Sequence, residues 1–277
     1  MNLRSAYSED LSIGPKLSSG MEPTGLARFL FELASDERLG ILDAIAERPL
    51  RHVQIARQLR MTDSETTRHL NRLASAGLVT KNPQSQFEAT NLARLVSAAF
   101  PLFRFLLTNR DFLLKHNVRV LPPEFVNRLG ALSEGTFVTG MYDVAATQER
   151  SLRAVSRRIW VLSDQMFEQA VPIMREKAAS GADVRVIRSR EGFGRGTALL
   201  PAVERNYPVR LVEETRIFLA VLDDLAGICF PTVDGKIDME AMLLLGDPVG
   251  YRWSADLFTH LWNDAREWLG PSTTRDR

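Results

Sequence analysis

The sequence predicts a multidomain α+β protein. A mostly helical winged helix-turn-helix comes first, and an α/β domain with a mixed sheet follows. Three observations predict this. Arg51 to Thr90, RHVQIARQLRMTDSETTRHLNRLASAGLVTKNPQSQFEAT, reads as helix, tight turn, capped helix, glycine stop and small hairpin. Beyond Met141, short apolar runs alternate with amphipathic helical stretches. A chain of 277 residues is long enough for about two domains.

Residues 1–22 are polar, with scattered Ser, Gly and Pro, and read as a flexible tail. Pro23 starts a helix through Leu33. Ser35 caps a second helix, with Asp36 and Glu37 in its first turn and Leu39, Ile41, Leu42 and Ile45 along it. The third helix is His52 to Leu59, and Arg60 to Thr62 turns the chain.

Thr62 and Glu65 form a capping box at the start of the fourth helix, which runs to Ala76. Leu70 and Leu73, with Thr66 one turn earlier, define its buried side. Ser64, Thr67, Arg68, Asn71 and Arg72 are assigned to the opposite side. Their hydroxyl, amide and guanidinium groups suit base edges and phosphate oxygens. Glu65 is occupied by the cap, and His69 reads as a packed boundary residue. Gly77 fits a left-handed helix stop. Leu78 to Thr80 enters a wing, Lys81 to Ser85 turns it, and Gln86 to Ala89 returns.

The second helix of such a motif enters the major groove of DNA. Lys81, Gln84 and Gln86 are then assigned to phosphate or the minor groove, and Arg51 and Arg57 to backbone contacts. Between Arg48 and Arg94, eight Arg or Lys face Asp63, Glu65 and Glu88, a local excess of five in a chain of net charge +1. That is the electrostatic footprint of a duplex binder. The simpler alternative is an amphipathic helical hairpin with a solvated polar face.

After the wing, Leu92, Leu95, Val96, Ala99, Leu102, Phe103 and Leu106 repeat at helical spacing, with a kink expected at Pro101. Such a helix joins subunits or packs on its own domain. These boundaries give a winged-helix domain at 23–107. Residues 108–140, broken by Pro122-Pro123, read as a helical linker. The α/β domain spans 141–270, with a tail at 271–277. Within it, helices are expected at Asp143–Val155, Phe167–Ala179, Ala198–Asn206 and Ser254–Leu269. Strands are expected at Ile159–Leu162, Val184–Ile187, Val209–Val212, Arg216–Leu222, Ala226–Phe230 and Ala241–Leu245. Asp234-Gly235 marks a turn.

The single cysteine, Cys229, excludes a disulfide within the chain and lies in an apolar run that reads as a buried strand. It points to a reducing, cytoplasmic compartment. The four histidines are scattered, so no metal site is expected. No apolar stretch approaches the roughly 18 residues of a membrane span, and the N-terminus lacks the apolar core of a signal peptide.

In the second domain, Arg190-Glu191-Gly192-Phe193-Gly194-Arg195-Gly196 follows a strand. Its backbone N–H groups could hold a phosphate or carboxylate, though its glycine spacing fits neither a dinucleotide fingerprint nor a P-loop. A surface loop is the alternative. No Ser/His/Asp order stands out, and the adjacent pairs Glu213-Glu214 and Asp223-Asp224 point to opposite faces of a strand. No catalytic residue and no cofactor is therefore assigned. Strand ends near Trp160, Arg188, Phe193, Arg210 and Glu213 are the place where a small-molecule pocket is expected.

The chain resembles the archaeal ArsR-like winged-helix regulators that carry a methanogenesis-regulator (FilR-type) middle domain. The resemblance rests on SETTRHLNRLASAGLV, on YPVRLVEETRIFLAVLDDLAGICFP, on VDGKID and on WSADLFTHLWNDAREW, and covers residues 25–270. It implies a cytoplasmic transcription regulator, a homodimer on double-stranded DNA, whose second domain senses a small-molecule effector or mediates oligomerisation. It also implies that this domain is similar to half of a phospholipase D fold. Phospholipase chemistry needs His and Lys two apart, and none of His52, His69, His116 and His260 has a Lys two residues later. The resemblance thus argues against enzyme activity. The alternative is a winged helix used for protein interaction, attached to a small-molecule-processing α/β enzyme domain.

Overall fold

A computed structural model describes residues 23–164, 170–190 and 207–267. The two expected tails, Phe193 with most of its glycine-rich loop, the helix at 198–206 and Trp268 lie outside the described residues. The chain divides into two compact units at Ala99 and Phe100.

The first unit contains α1 (Pro23–Leu33), α2 (Asp36–Ala46), α3 (His52–Leu59), α4 (Asp63–Ser75), β1 (Val79–Lys81), β2 (Phe87–Ala89) and α5 (Asn91–Ser97). Each boundary has a local cause. Ser35 accepts from the Arg38 N–H at the start of α2. Arg60, in a left-handed conformation at φ 55°, ends α3. Gly77 at φ 73° ends the turn after α4, where a side chain would be strained. Thr90 accepts from the Ala93 N–H to open α5 and donates to the Gly77 carbonyl at 2.7 Å. The core is Ile41, Leu42 and Ile45 of α2, Ile55 of α3, Leu70 and Leu73 of α4, and Leu78 and Val79 entering the wing. Each such residue contributes about 1.5–3 kcal/mol by leaving water. Leu50 bridges to Phe87, tying the segment before α3 to the returning wing strand.

The second unit contains α6 (Phe100–Thr108), α7 (Arg110–Leu113), α8 (Pro123–Val126), β3 (Thr136–Thr139), α9 (Met141–Ala154), β4 (Arg158–Leu162), α10 (Ala170–Ala179), β5 (Asp183–Ser189), β6 (Val209–Val212), β7 (Phe218–Val221), β8 (Ala226–Cys229), β9 (Ala241–Leu245), α11 (Pro248–Asp264) and β10 (Arg266–Glu267). The strands form one mixed eight-stranded sheet in the order β10-β6-β5-β4-β7-β8-β9-β3. β4, β5 and β6 run parallel, and every other pairing is antiparallel.

Helices cover both faces of this sheet. On one face, Trp160, Leu162, Ile187, Leu219 and Ile228 pack with Trp253, Leu257, Phe258 and Trp262 of α11. On the other, Ile159, Val161, Val184, Val186 and Phe218 pack with α9 and α10. Asp247 caps α11 by accepting from the Val249 and Gly250 N–H groups, with Pro248 at its first position. The α/β class and the mixed sheet are as expected.

The boundary between the domains differs from the expectation. Residues 108–140 form no separate linker in the structure. Phe105, Leu121, Phe125, Leu129 and Leu132 are buried in the same core as Trp253 and Phe258, and Thr136–Thr139 pairs with β9 as an edge strand. Two short helices and two 3₁₀ turns break any long apolar period, which is why the pattern looked loose. The helix expected at Leu92–Leu106 is two helices, interrupted at residues 98–99, with Pro101 in the first turn of α6. The last helix begins at Pro248, six residues before its expected start.

Candidate nucleic-acid interface

The start of α4 is built as its residues dictate. Thr62 Oγ1 accepts from the Glu65 N–H at 3.2 Å. The Glu65 carboxylate accepts from the Thr62 N–H at 2.9 Å and from its hydroxyl at 2.7 Å. These bonds, the Thr62 N–H first, hold the Glu65 carboxyl below its ordinary value. Thr66 is buried and donates to the Thr62 carbonyl. Leu70 and Leu73 are buried as expected. His69 is buried too, and burial first, then the charge of Arg68, lowers its pKa and favours the neutral ring.

Ser64, Thr67, Arg68 and Asn71 are exposed along α4 and form one open ridge. Arg72 does not stand with them. It lies on the flank towards α1, where its Nε and Nη2 donate to Glu32 at 2.8 and 2.9 Å and its guanidinium lies over Phe31 at 5.1 Å. The bond to Arg72 holds the Glu32 carboxyl below its ordinary value, and the same bond raises Arg72. What separates Arg72 is α1: Glu32 and Phe31 stand beside this end of α4 and take up the guanidinium. Arg38, which is buried, fixes this end of α1. It donates to the Phe31 carbonyl at 2.6 Å and to that of Glu32.

Thr67 sits on the ridge's other edge, with its hydroxyl 3.0 Å from His52 Nε2. It braces α4 against α3. Arg51, the N-cap of α3, and Arg57 on α3 are exposed. The Arg51 N–H donates to Gln54 Oε1 at 2.8 Å, which opens α3.

In the wing, Lys81 and Gln84 are exposed. Lys81 Nζ lies 5.7 Å from the Phe87 ring centroid. Gln86 is partly buried, and its side chain accepts from Asn82 Nδ2 at 3.2 Å. Asn82 was not among the expected residues. Its Oδ1 accepts from the Gln84 and Gln86 N–H groups at 3.0 and 2.9 Å and so shapes the wing tip. An Asn followed by Pro after a strand is the turn signal that marks it.

The residues expected around a ligand pocket in the second unit do not converge. Trp160 and Arg210 lie on the α11 face, because Trp160 pairs with Arg185 and Arg210 with Ile187. Trp160 Nε1 donates to Asp183 at 2.9 Å. Arg210 donates to the Trp262 carbonyl at 2.5 Å and lies over that ring. Arg188 is buried on the opposite face and donates to the Asp164 carbonyl at 3.3 Å. Glu213 is exposed and pairs with Arg190 at 3.3 Å. Phe193 lies outside the described residues.

Asp223, half of one adjacent acidic pair, is a structural anchor. It accepts from the Ser156, Arg157 and Arg158 N–H groups at the entry to β4. Burial alone would raise its pKa, but these bonds lower it overall. Cys229 is fully buried, and that burial pushes its thiol up to about 12. Among the described residues no helix is long and apolar enough to cross a membrane.

Residues 35–81, from the cap of α2 to the end of β1, match the family described as bacterial regulatory protein, arsR family. No curated protein matches the chain. Among solved structures, TrmBL2, described as an archaeal chromatin protein with a novel mode of DNA binding, is similar over 87% of this chain and 98% of its own, at 10% identity and a TM-score of 0.40. Nuc, a phospholipase D family member from Salmonella typhimurium, is similar over 49% of this chain and 99% of its own, at 12% identity and a TM-score of 0.39. The homodimeric winged helix-turn-helix domain of Mb0332 from Mycobacterium bovis, a possible ArsR-family regulator, is similar over 36% of this chain and 97% of its own, at 22% identity and a TM-score of 0.28. These likenesses are remote. The functional reading rests on the family match and on the chain's own geometry.

Proposed function

We propose that this protein is a DNA-binding transcription regulator that acts as a homodimer. Its first unit binds duplex DNA, and its second, a methanogenesis-regulator-type domain, binds an effector without turning it over. The observation that carries the first part is the exposed α4 ridge on a winged helix-turn-helix that matches the arsR family. In that arrangement Ser64, Arg68 and Asn71 face base edges, and Lys81 and Gln84 of the wing reach phosphate. Arg51 and Arg57 supply backbone contacts from α3. Thr67 positions α4, and Arg72 holds α1.

The homodimer reading is supported by exposed apolar side chains on the first unit. Leu26, Leu30 and Phe31 of α1 and Leu92 and Leu95 of α5 are each 45% exposed or more. Apolar side chains in such number on two helices are suited to a self-complementary contact. A cytoplasmic location follows from this reading. Selection from a random duplex pool tests it. A short enriched motif with two-fold symmetry supports it, and recovery of no duplex by the folded protein refutes it.

A further inference from the structure

Two of the five polar side chains assigned to α4 already have partners within the protein. Thr67 Oγ1 lies 3.0 Å from His52 Nε2, and Arg72 is held by Glu32. Arg68 and Asn71 differ from them. Glu65, three residues before Arg68, is placed to take its guanidinium. Its carboxylate instead accepts from the Thr62 N–H and hydroxyl. Among the described residues no carboxylate pairs with Arg68, and its hydrogen-bond contact is a long one, Nη2 to His69 Nε2 at 3.5 Å. Asn71 makes no side-chain hydrogen bond among the described residues. Both stand on the exposed ridge.

Each of these groups has a two-point hydrogen-bonding edge, and the two edges differ. A guanidinium offers donors alone. In the major groove guanine answers it with two acceptors, N7 and O6, whereas cytosine presents an amino donor and thymine one acceptor beside a methyl group. A carboxamide offers one acceptor and one amino group. Adenine answers that pair with its N6 amino group and N7. The Ser64 hydroxyl pairs with donors and acceptors alike and selects no base. Arg68 and Asn71 are three residues apart, a rise of about 4.5 Å along the helix. A base step is about 3.4 Å, so the two side chains reach bases no more than about two steps apart.

We infer that each half of the duplex site contains a guanine read by Arg68 and an adenine read by Asn71, within about two base steps of each other. The inference rests on the DNA-binding reading of the first unit and adds the bases that α4 selects.

Selection from a random duplex pool gives the site, and base analogues placed in it test the assignment. 7-Deazaguanine and 7-deazaadenine replace the N7 acceptor by C–H and leave the Watson–Crick edge intact. With either analogue in both halves of the site, the wild type should bind about tenfold more weakly. Arg68→Ala should respond to 7-deazaguanine by less than about twofold and still lose about tenfold with 7-deazaadenine. Asn71→Ala should show the reverse pattern. Both side chains are exposed, so both variants should melt with the wild type. A recovered motif lacking a guanine and an adenine at that spacing would overturn the inference. So would variants that keep the wild-type response to both analogues. In either case DNA binding itself stands. Recovery of no duplex by the folded protein would remove the DNA-binding reading and this inference with it.

Discussion

In the first unit Arg68 stands on an open ridge, while in the second unit Arg158, Arg185 and Arg210 are folded against indole rings. Arg158 and Arg185 lie 4.2 and 4.8 Å from the Trp160 ring centroid, and Arg210 lies 4.6 Å from that of Trp262. Arg158 also donates to Tyr251 Oη, Arg185 to Asp183, and Arg210 to the Trp262 carbonyl. The same side chain thus stands open to solvent in one unit and is taken up by the fold in the other. What decides is the element across from it. β4, β5 and β6 have α11 across from them, whereas the α4 ridge is exposed among the described residues of its unit. Arg72 shows the same rule over a few residues: α1 lies beside it, so Glu32 takes its charge.

Breaking the aromatic side of the comparison should have the largest effect. Trp262→Ala removes a ring that packs on Phe258 and lies under Arg185 and Arg210. The second unit should lose about 3–5 kcal/mol in chemical denaturation, with duplex affinity per folded chain unchanged. Arg72→Ala comes next. It should lower the melting temperature of the first unit, and Glu32→Gln should do so too. Its cost in duplex affinity should stay below about threefold, because a guanidinium already held by a carboxylate releases little counterion on binding.

The smallest effect is one of pH. Burial depresses the folded pKa of His69 below its ordinary 6.5. The stability that the neutral ring contributes is complete above the unfolded value and is lost as pH falls through 6.5 towards the lower folded value. His69→Leu should flatten the stability of the first unit across that window, while the wild type declines. An equal decline in both proteins would show that His69 is not the group responsible.

The legible parts of the molecule are those where local chemistry closes on itself. Thr62 and Glu65 lie three apart and bond to each other, so the start of α4 could be read directly. Gly77 and the alternation of β4, α10 and β5 were legible for the same reason. What the sequence hid depends on distant partners. Glu32 lies 40 residues before Arg72, so nothing near Arg72 announced its ion pair. Residues 108–140 looked like a linker because each of their elements is four residues or shorter, although Phe125 packs edge-on to Trp253, 128 positions later. The expected ligand residues failed to converge because strand neighbours alternate faces. Arg188 and Arg210 needed the β5–β6 register before their sides could be told apart.

The central claim is that the α4 ridge contacts the duplex. The most direct measurement is binding of a selected duplex by Arg68→Ala/Asn71→Ala beside the wild type, with thermal melting of both. Each lost base contact is worth about 1–3 kcal/mol. The double variant should therefore bind at least about tenfold more weakly while melting at the wild-type temperature. Wild-type affinity in the folded double variant would contradict the placement of this ridge against DNA.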